Sequence, residues 1–405
     1  MKQNMDQDTK AKLHTLSKEM KQHLKSVIIP FWKNLRDDRY GGFYGYMDYD
    51  LKIDREADKG CILNSRILWF FSNAYLLLKE ESLMKEAVHA YRFMQEKCMD
   101  HKNGGIYWAM TFDGKPLETI KHTYNQAFAI YALASYYDAS CDQEALKSAM
   151  DLFELIEGKC RDEIGYLEAF DEKFNEIDNE KLSENGVIAD KTMNTLLHVF
   201  EAYTELYRVS KEEKVRICLE EMLHTFSEKV FNPKLRRQEV FFDQKLNSIL
   251  DLHSYGHDIE TAWLIDRGLE VLGAQEEHGR IGEITAILTA EIYKVAFDGH
   301  SLANEAEKGV VNEDRIWWVQ AETVVGFLNG FLKNTNDIKY LTAASETWEF
   351  IKEYLWDKRK KSEWFWKVTK EGVSASDKPI VEPWKCPYHN GRMCFEVIRR
   401  IENVT

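Results

Sequence analysis

The chain has 405 residues, 44% of them hydrophobic and 13% aromatic, enough for one large core or two ordinary domains. Lys plus Arg total 54 against 68 Asp plus Glu, a formal net charge of -14, which argues against nucleic acid or an anionic membrane as a main partner. The seven cysteines (Cys61, Cys98, Cys141, Cys160, Cys218, Cys386 and Cys394) are odd in number and contain no CxxC pair, so neither a disulfide framework nor a zinc knuckle is indicated.

The N-terminal stretch MKQNMDQDTKAKLHTL lacks the apolar core of a secretion signal, and no later segment reads as a membrane span. With reduced thiols, the expectation is a cytoplasmic protein. Helical periodicity then recurs along the chain, predicting helices over about 8–28, 61–79, 83–99, 123–138, 143–158, 190–208, 211–229, 256–273, 279–297, 314–334, 338–355 and 388–402. Between successive pairs lie glycine- and aromatic-rich loops, YGGFYGYMDYD, NGGIYWAM, IGYLEAF, RQEVFFD and SEWFWKV, recurring roughly every 50–75 residues as in an array of supersecondary units. The fold class this predicts is all-α, a closed (α/α)6 toroid of six helical hairpins. Gly, Pro and Ser never cluster into a linker, so residues 1–405 read as a single domain. The basic run Lys358 to Lys361 reads as a solvated turn.

In the second predicted helix, Arg66 sits within CILNSRILWFFSNAYLLL. A cation in so apolar a segment is either paired or faces a polar cavity, where it can stabilise an oxyanion. Tyr124 and Gln126 in KHTYNQAFAIY carry a weaker signal, because a tyrosine starting a helix is common core material. In DKTMNTLLHVFEAY, Lys191, Asn194 and His198 fall at i, i+3 and i+7, a polar stripe that either faces solvent or lines a site.

The stretch SYGHDIETAW places His257, Glu260 and Thr261 on one face just after a helix start. In IWWVQAETVVGF, Trp318 and Glu322 form an i, i+4 pair, an aromatic platform beside a carboxylate. Three of the six prolines, Pro379, Pro383 and Pro387, crowd the loop before the last helix, and Pro387 there suits a helix start. His389 is thus expected in a first turn, as is His257. The helix dipole disfavours imidazolium at that end, and a neutral imidazole at pH 7 is what a general base needs. The competing readings are a pair of polar caps, or a metal site built on the His-x-x-Glu pair with His198 or His389 as third ligand. No phosphate loop, nucleotide fingerprint or GxSxG elbow is present, and the expectation is no metal and no cofactor.

In order along the chain, NSRILWFFS, KHTYNQAF, DKTMNTLLHVFEAYTELY, SYGHDIETAWL, WWVQAETVVGF, EWFWKV and WKCPYHNGRMC resemble the N-acylglucosamine 2-epimerase superfamily. SYGHDIE and WKCPYHNGR point to its cellobiose branch. The resemblance implies an (α/α)6 barrel that epimerises C2 of the reducing-end glucose of β-1,4-linked disaccharides (cellobiose to glucosyl-mannose, lactose to epilactose) through ring opening and a cis-enediolate, without a cofactor. It implies His257 and His389 as the two acid/base groups, Arg66 on the enediolate oxygens, Glu260 hydrogen-bonded to His257, and His198 contacting sugar oxygens. Tyr124, Asn194, Trp318, Glu322 and Trp384 are the implied substrate-binding positions. The protein is expected to act on a small-molecule disaccharide as a monomer or weak homo-oligomer. The pattern departs from the family at KRKKS, the lead-in to EWFWKV, a loop expected to shape the outer subsite. Alternatives are N-acylglucosamine epimerisation, mannose-type aldose–ketose isomerisation, a glycoside hydrolase using Glu260 and Glu322, and a non-catalytic sugar-binding protein.

Overall fold

The computed structural model describes residues 5–181, 186–274 and 279–404. Twelve helical units stand in it, close to the predicted twelve. The first is α1 (Gln7–His23), which runs through a π-helical turn into α2 (Ile29–Lys33). Then follow α3 (Cys61–Leu78), α4 (Glu81–Phe93), α5 (Thr123–Ser140), α6 (Gln143–Lys159), α7 (Met193–Ser210), α8 (Glu213–Thr225), α9 (Tyr255–Leu272), α10 (Gly279–Val295), α11 (Trp317–Lys333), α12 (Ile338–Phe350) and α13 (His389–Val404).

Alternate helices form two concentric rings. Helices α3, α5, α7, α9, α11 and α13 each pack on the next, and α13 returns to α3, closing the inner ring. The outer helices α4, α6, α8, α10 and α12 pack against the inner ring, and α1 covers α13. Sequence explains the division. Every residue of α3 from Cys61 to Ala74 is buried, as a helix surrounded on all sides requires, whereas α6 buries only Ala145, Ala149, Leu152, Phe153 and Ile156, a stripe of period 3.6 facing the inner ring. The expectation that no segment reaches membrane-span length needs correcting. Helix α3, with 18 residues and hydropathy 1.3, passes that test by composition, but it is 78% buried inside the barrel.

A six-fold device, hidden in the aromatic loops, ties the rings together at one rim. After each of six outer helices the chain turns through a short hairpin whose first residue is Asp37, Asp100, Asp162, Asn232, Asp298 or Asp357. Each side chain accepts main-chain N–H groups two or three residues on, the side-chain mimic of a turn. The chain then re-enters the inner ring through a short extended segment. Lys59, Lys121, Lys191 and Arg315 in those segments reach back to Asp37 (2.6 Å), Asp100 (2.9 Å), Asp162 (2.6 Å) and Asp298 (2.7 Å). Lys191 is thus not on the polar helical stripe predicted for it. It pairs in register with Phe242 on a neighbouring strand, and α7 begins only at Met193. Gln126 likewise proves structural, exchanging two hydrogen bonds with the main chain of Ile106 at 2.7 and 2.9 Å. Because all six inner helices start at this rim, their first turns converge on the barrel mouth.

Candidate active site

The first turns of the inner helices enclose a cavity of about 1070 Å³, counted to its open mouth, a size suited to a small organic ligand. Arg66, Tyr124, Asn194, His198, His257, Glu260, Trp318, Trp384 and His389 all line it. Nine of the ten predicted site residues are therefore brought together from six helices and the proline-rich loop. Trp317 and Trp366 add to the aromatic wall.

His389 opens α13, and its Nδ1 lies 2.7 Å from Oε1 of Glu322. A carboxylate there makes Nδ1 the protonated nitrogen and leaves the Nε2 lone pair free. His198 is held alike, Nδ1 to Glu201 Oε2 at 2.8 Å. His257 differs, since its Nδ1 meets the hydroxyl of Ser254 at 2.7 Å. The His257 and His389 rings lie 4.8 and 5.5 Å from the Trp318 indole, centre to centre, so one tryptophan spaces both. Gly256 makes this approach possible, for a Cβ there would fall 2.5 Å from the Trp318 ring.

All three imidazoles are neutral at pH 7. Burial pushes His257 down to about 3, with His198 acting in the same sense. Burial, with Arg392 and Arg66, takes His389 well below its ordinary value, and His198 is lowered by burial in spite of Glu201. Neutrality was expected from the helix dipole, but loss of solvent is the leading cause.

Arg66, only 2% exposed, is the most telling residue. It donates to the Tyr124 hydroxyl (2.8 Å), lies 3.8 Å from Cys386 Sγ, and packs over the rings of Phe128 and Tyr388 at 4.1 and 4.9 Å. No carboxylate pairs with it among the described residues. The salt-bridge alternative is thereby removed, leaving a buried guanidinium on the cavity wall without a carboxylate to compensate it. Asn194 Oδ1 has no hydrogen-bond partner among the described residues.

Two expected roles need correction. Glu260 does not hydrogen-bond His257. Its Oε1 accepts from Arg392 and lies 3.9 Å from His389 Nδ1, because the helix turn that puts it on His257's face also points it inward to the barrel axis. Glu322 does not line the cavity. One turn deeper than Trp318, it accepts from His389, from Trp263 Nε1 (2.9 Å) and from Arg392 (2.7 Å), so it buttresses a histidine from outside the cavity lining. The KRKKS segment also lies away from the cavity. Lys358 stacks 3.4 Å over Trp356, and only Trp366 from the following stretch reaches the cavity wall.

Beneath the histidines sits a charge cluster that sequence reasoning missed. Arg392, 1% exposed, donates to Glu201, Glu260, Glu322 and the Tyr388 hydroxyl, and Tyr388 donates to Glu201. The signal was available: Glu201 is three residues after His198, and Arg392 three after His389, the same spacing that drew attention to Glu260. Glu260, Glu322 and His389 come close enough to hold a cation, yet the Arg392 guanidinium already bonds both carboxylates. The donor set is that of a guanidinium site, not an open metal site.

A closed (α/α)6 ring whose mouth holds three histidines, several tryptophans and an arginine with no carboxylate partner among the described residues defines the class: a helical barrel with a cavity of small-ligand size. The chain matches the family described as N-acylglucosamine 2-epimerase over residues 42–390, and it belongs to that family. It is 51% identical to the cellobiose 2-epimerase of Ruminococcus albus over 382 residues, 94% of this chain and 98% of that protein. To the cellobiose 2-epimerase of Eubacterium cellulosolvens it is 48% identical, covering 93% and 96%. Among solved structures, a sugar epimerase from a ruminal bacterium superposes with a TM-score of 0.94 at 51% identity, covering 95% and 99%. Bacillus thermoamylovorans cellobiose 2-epimerase follows with 0.92 at 44%, covering 96% and 100%. A D-mannose isomerase (TM-score 0.81, 18% identity) and an α-mannanase (0.60, 10%) share the fold alone.

Proposed function

We propose that this chain is a carbohydrate epimerase that inverts C2 of the reducing-end glucose of β-1,4-linked disaccharides, cellobiose and lactose first among them. The observation that carries the reading is the uncompensated Arg66 in the same cavity as His257 and His389. An α-proton abstraction builds negative charge on two adjacent oxygens, and this guanidinium is the cation with no other anion to neutralise.

The steps follow from the residues. The pyranose opens, with His198, its Nδ1 on Glu201, moving the proton between ring and anomeric oxygens. One of His257 and His389 removes the C2 proton as a neutral base, and Arg66 with Tyr124 bonds the enediolate oxygens. The other histidine, also neutral at rest, takes up a solvent proton through the open mouth as the enediolate charge develops and delivers it to the opposite face of C2, while the first histidine gives the abstracted proton to solvent. Two bases on either side of C2 invert it without turning the sugar over. The Trp318 and Trp384 rings offer faces for the sugars, and Asn194 an unmet acceptor. The reaction needs no cofactor, and the reduced thiols suit the cytoplasm.

Hydrolysis fits less well, since Glu322 is outside the cavity and both Glu260 and Glu322 bind Arg392, whereas a glycosidase needs two carboxyl groups facing the scissile bond. The test is incubation in heavy water with cellobiose, lactose, N-acetylglucosamine and mannose separately, followed by sugar analysis. An intact disaccharide with a mannose reducing end and deuterium at C2 is expected. Absence of C2 deuterium from both disaccharides, free glucose from cellobiose, or a ketose as main product would each reject this reading.

A further inference from the structure

Two of the three histidines in this cavity are held from behind by carboxylates, and both carboxylates are held by one residue. His198 Nδ1 is fixed by Glu201 and His389 Nδ1 by Glu322. Both carboxylates, with Glu260, accept from the single guanidinium of Arg392, which lies beneath the cavity lining and has no route to the ligand. The Tyr388 hydroxyl closes the loop between Arg392 and Glu201. No other cation forms an ion pair with these three carboxylates among the described residues.

We propose that Arg392 is a positioning residue that couples the ring-opening histidine, His198, to the proton-transferring histidine, His389, by holding Glu201 and Glu322 in place together. This rests on the epimerase reading and assigns that reaction a residue that never touches substrate. Without the guanidinium, Glu201 and Glu322 would face one another beside the already protonated Glu260 in a buried interior. At least one would take a proton or swing away, and the imidazole it supports would lose its fixed tautomer. Glu201 shows the scale of the cation's effect: burial alone would raise its pKa, but Arg392 and His198 hold it at about 2. The charged and titratable groups around the cluster are Arg66 on α3, Tyr124 and Tyr131 on α5, His198 and Glu201 on α7, Glu260 on α9, Glu322 on α11, Tyr388 just before α13, and His389 and Arg392 on α13.

Two rates separate the steps: enzyme-catalysed mutarotation of cellobiose, followed by polarimetry, reports ring opening, and deuterium entry at C2 reports proton transfer. Glu322→Gln is expected to spare mutarotation and slow C2 exchange, while Glu201→Gln slows mutarotation. Arg392→Lys should slow mutarotation by roughly 100-fold, the scale of lost acid–base catalysis, and slow C2 exchange by more than the mutarotation loss accounts for. The acid limb of its pH profile should move to higher pH, because each carboxylate becomes easier to protonate. If Arg392→Lys fails to fold, the double variant of Glu201→Gln with Glu322→Gln carries the test, and the coupling predicts a departure of at least about 3-fold from the product of the single effects. The proposal is overturned if that product is obeyed, if either rate in Arg392→Lys stays near wild type, or if the folded fraction of the variant keeps the wild-type pH profile. Wild-type protein with no C2 exchange would instead reject the epimerase reading.

Discussion

Replacing Arg66 by methionine should separate activity from stability, abolishing most of the first and leaving the second nearly unchanged. The side chain is buried and charged, and its bonds are to a tyrosine hydroxyl and, more weakly, a thiol. Removing a buried ion in favour of an apolar chain of similar length is commonly neutral to stabilising by about 1–4 kcal/mol. Against that stand the bond to Tyr124, about 1 kcal/mol, and the packing over Phe128 and Tyr388, about 1 kcal/mol. The balance for Arg66→Met lies between about -2 and +2 kcal/mol. With an unfolding entropy of about 2.1 cal/mol/K per residue over 405 residues, 1 kcal/mol corresponds to roughly 1 °C, so the melting temperature should stay within about 2 °C of wild type. Catalysis should fall steeply. Loss of a donor aimed at a developing oxyanion costs about 2.7–4 kcal/mol, or roughly 100- to 1000-fold in kcat. The assays are a thermal melt by circular dichroism and C2 deuterium entry into cellobiose. A variant that melts several degrees lower while keeping kcat within a few-fold would show that Arg66 is there for the fold, and the argument from its missing partner would fail.

Four further outcomes follow. Gly256→Ala drives a methyl group into Trp318 and should displace the wall between the two histidines, lowering kcat/KM for cellobiose by at least about 10-fold, and unchanged kinetics would contradict the tight contact. Asp100→Asn keeps the turn but leaves Lys121, fully buried with it, without a counter-charge, so urea unfolding should show a loss of about 3–5 kcal/mol with kcat per folded molecule intact. Chelation with EDTA should leave activity unchanged, because Arg392 occupies the ground between Glu260 and Glu322, and loss of activity restored by a divalent ion would refute this. Stability should peak between about pH 5 and 6.5. Burial holds His23, His122 and His257 at about 3, about 4 and about 3. Each therefore gains a proton on unfolding, and stability falls by about 1.4 kcal/mol per histidine per unit as pH drops below about 6. Burial pushes Glu168 and Glu260 up to about 8, so their contribution is full below about 4.5 and lost as pH rises toward 8. A melting temperature climbing steadily from pH 6 to 9 would refute the assignment.

Helices were legible because a 3.6-residue period over four or five turns leaves a long record, and the twelve predicted spans fall within a few residues of those observed. The extended segments before the inner helices are two or three residues long, too short for any period to register, which is why Lys191 was read into a helix. The aromatic loops stood out by composition. Their function did not, since the Asp or Asn that begins each hairpin acts on main-chain N–H groups that a sequence pattern does not display. Within the site, residues that face the cavity were found from their own helices: Arg66 by its incongruity, His257 and His389 by their place after Gly256 and Pro387. Errors arose where a role depended on a second helix. Spacing put Glu260 beside His257 and Glu322 beside Trp318, but the partners that claim those carboxylates, Arg392 and His389, come from α13, over a hundred residues away in sequence for Glu260.

Three carboxylates against one guanidinium is an imbalance the barrel interior must absorb, and the geometry shows how. Glu260, whose Oε2 has no hydrogen-bond partner among the described residues, is pushed to about 8 by burial and by Glu322 and so carries a proton at neutral pH. Glu201 stays charged, and it alone of the three also lines a second cavity of about 960 Å³, at the opposite end of the barrel beside Thr204, Glu205 and Arg208, polar and roomy enough for water. The surplus charge thus adjoins the second cavity, while the first holds neutral imidazoles and, in Arg66, a cation without a carboxylate partner among the described residues. For the proposed epimerisation, that arrangement keeps the two bases uncharged before the sugar arrives and leaves the arginine available to the enediolate, the two conditions that α-proton abstraction at neutral pH requires.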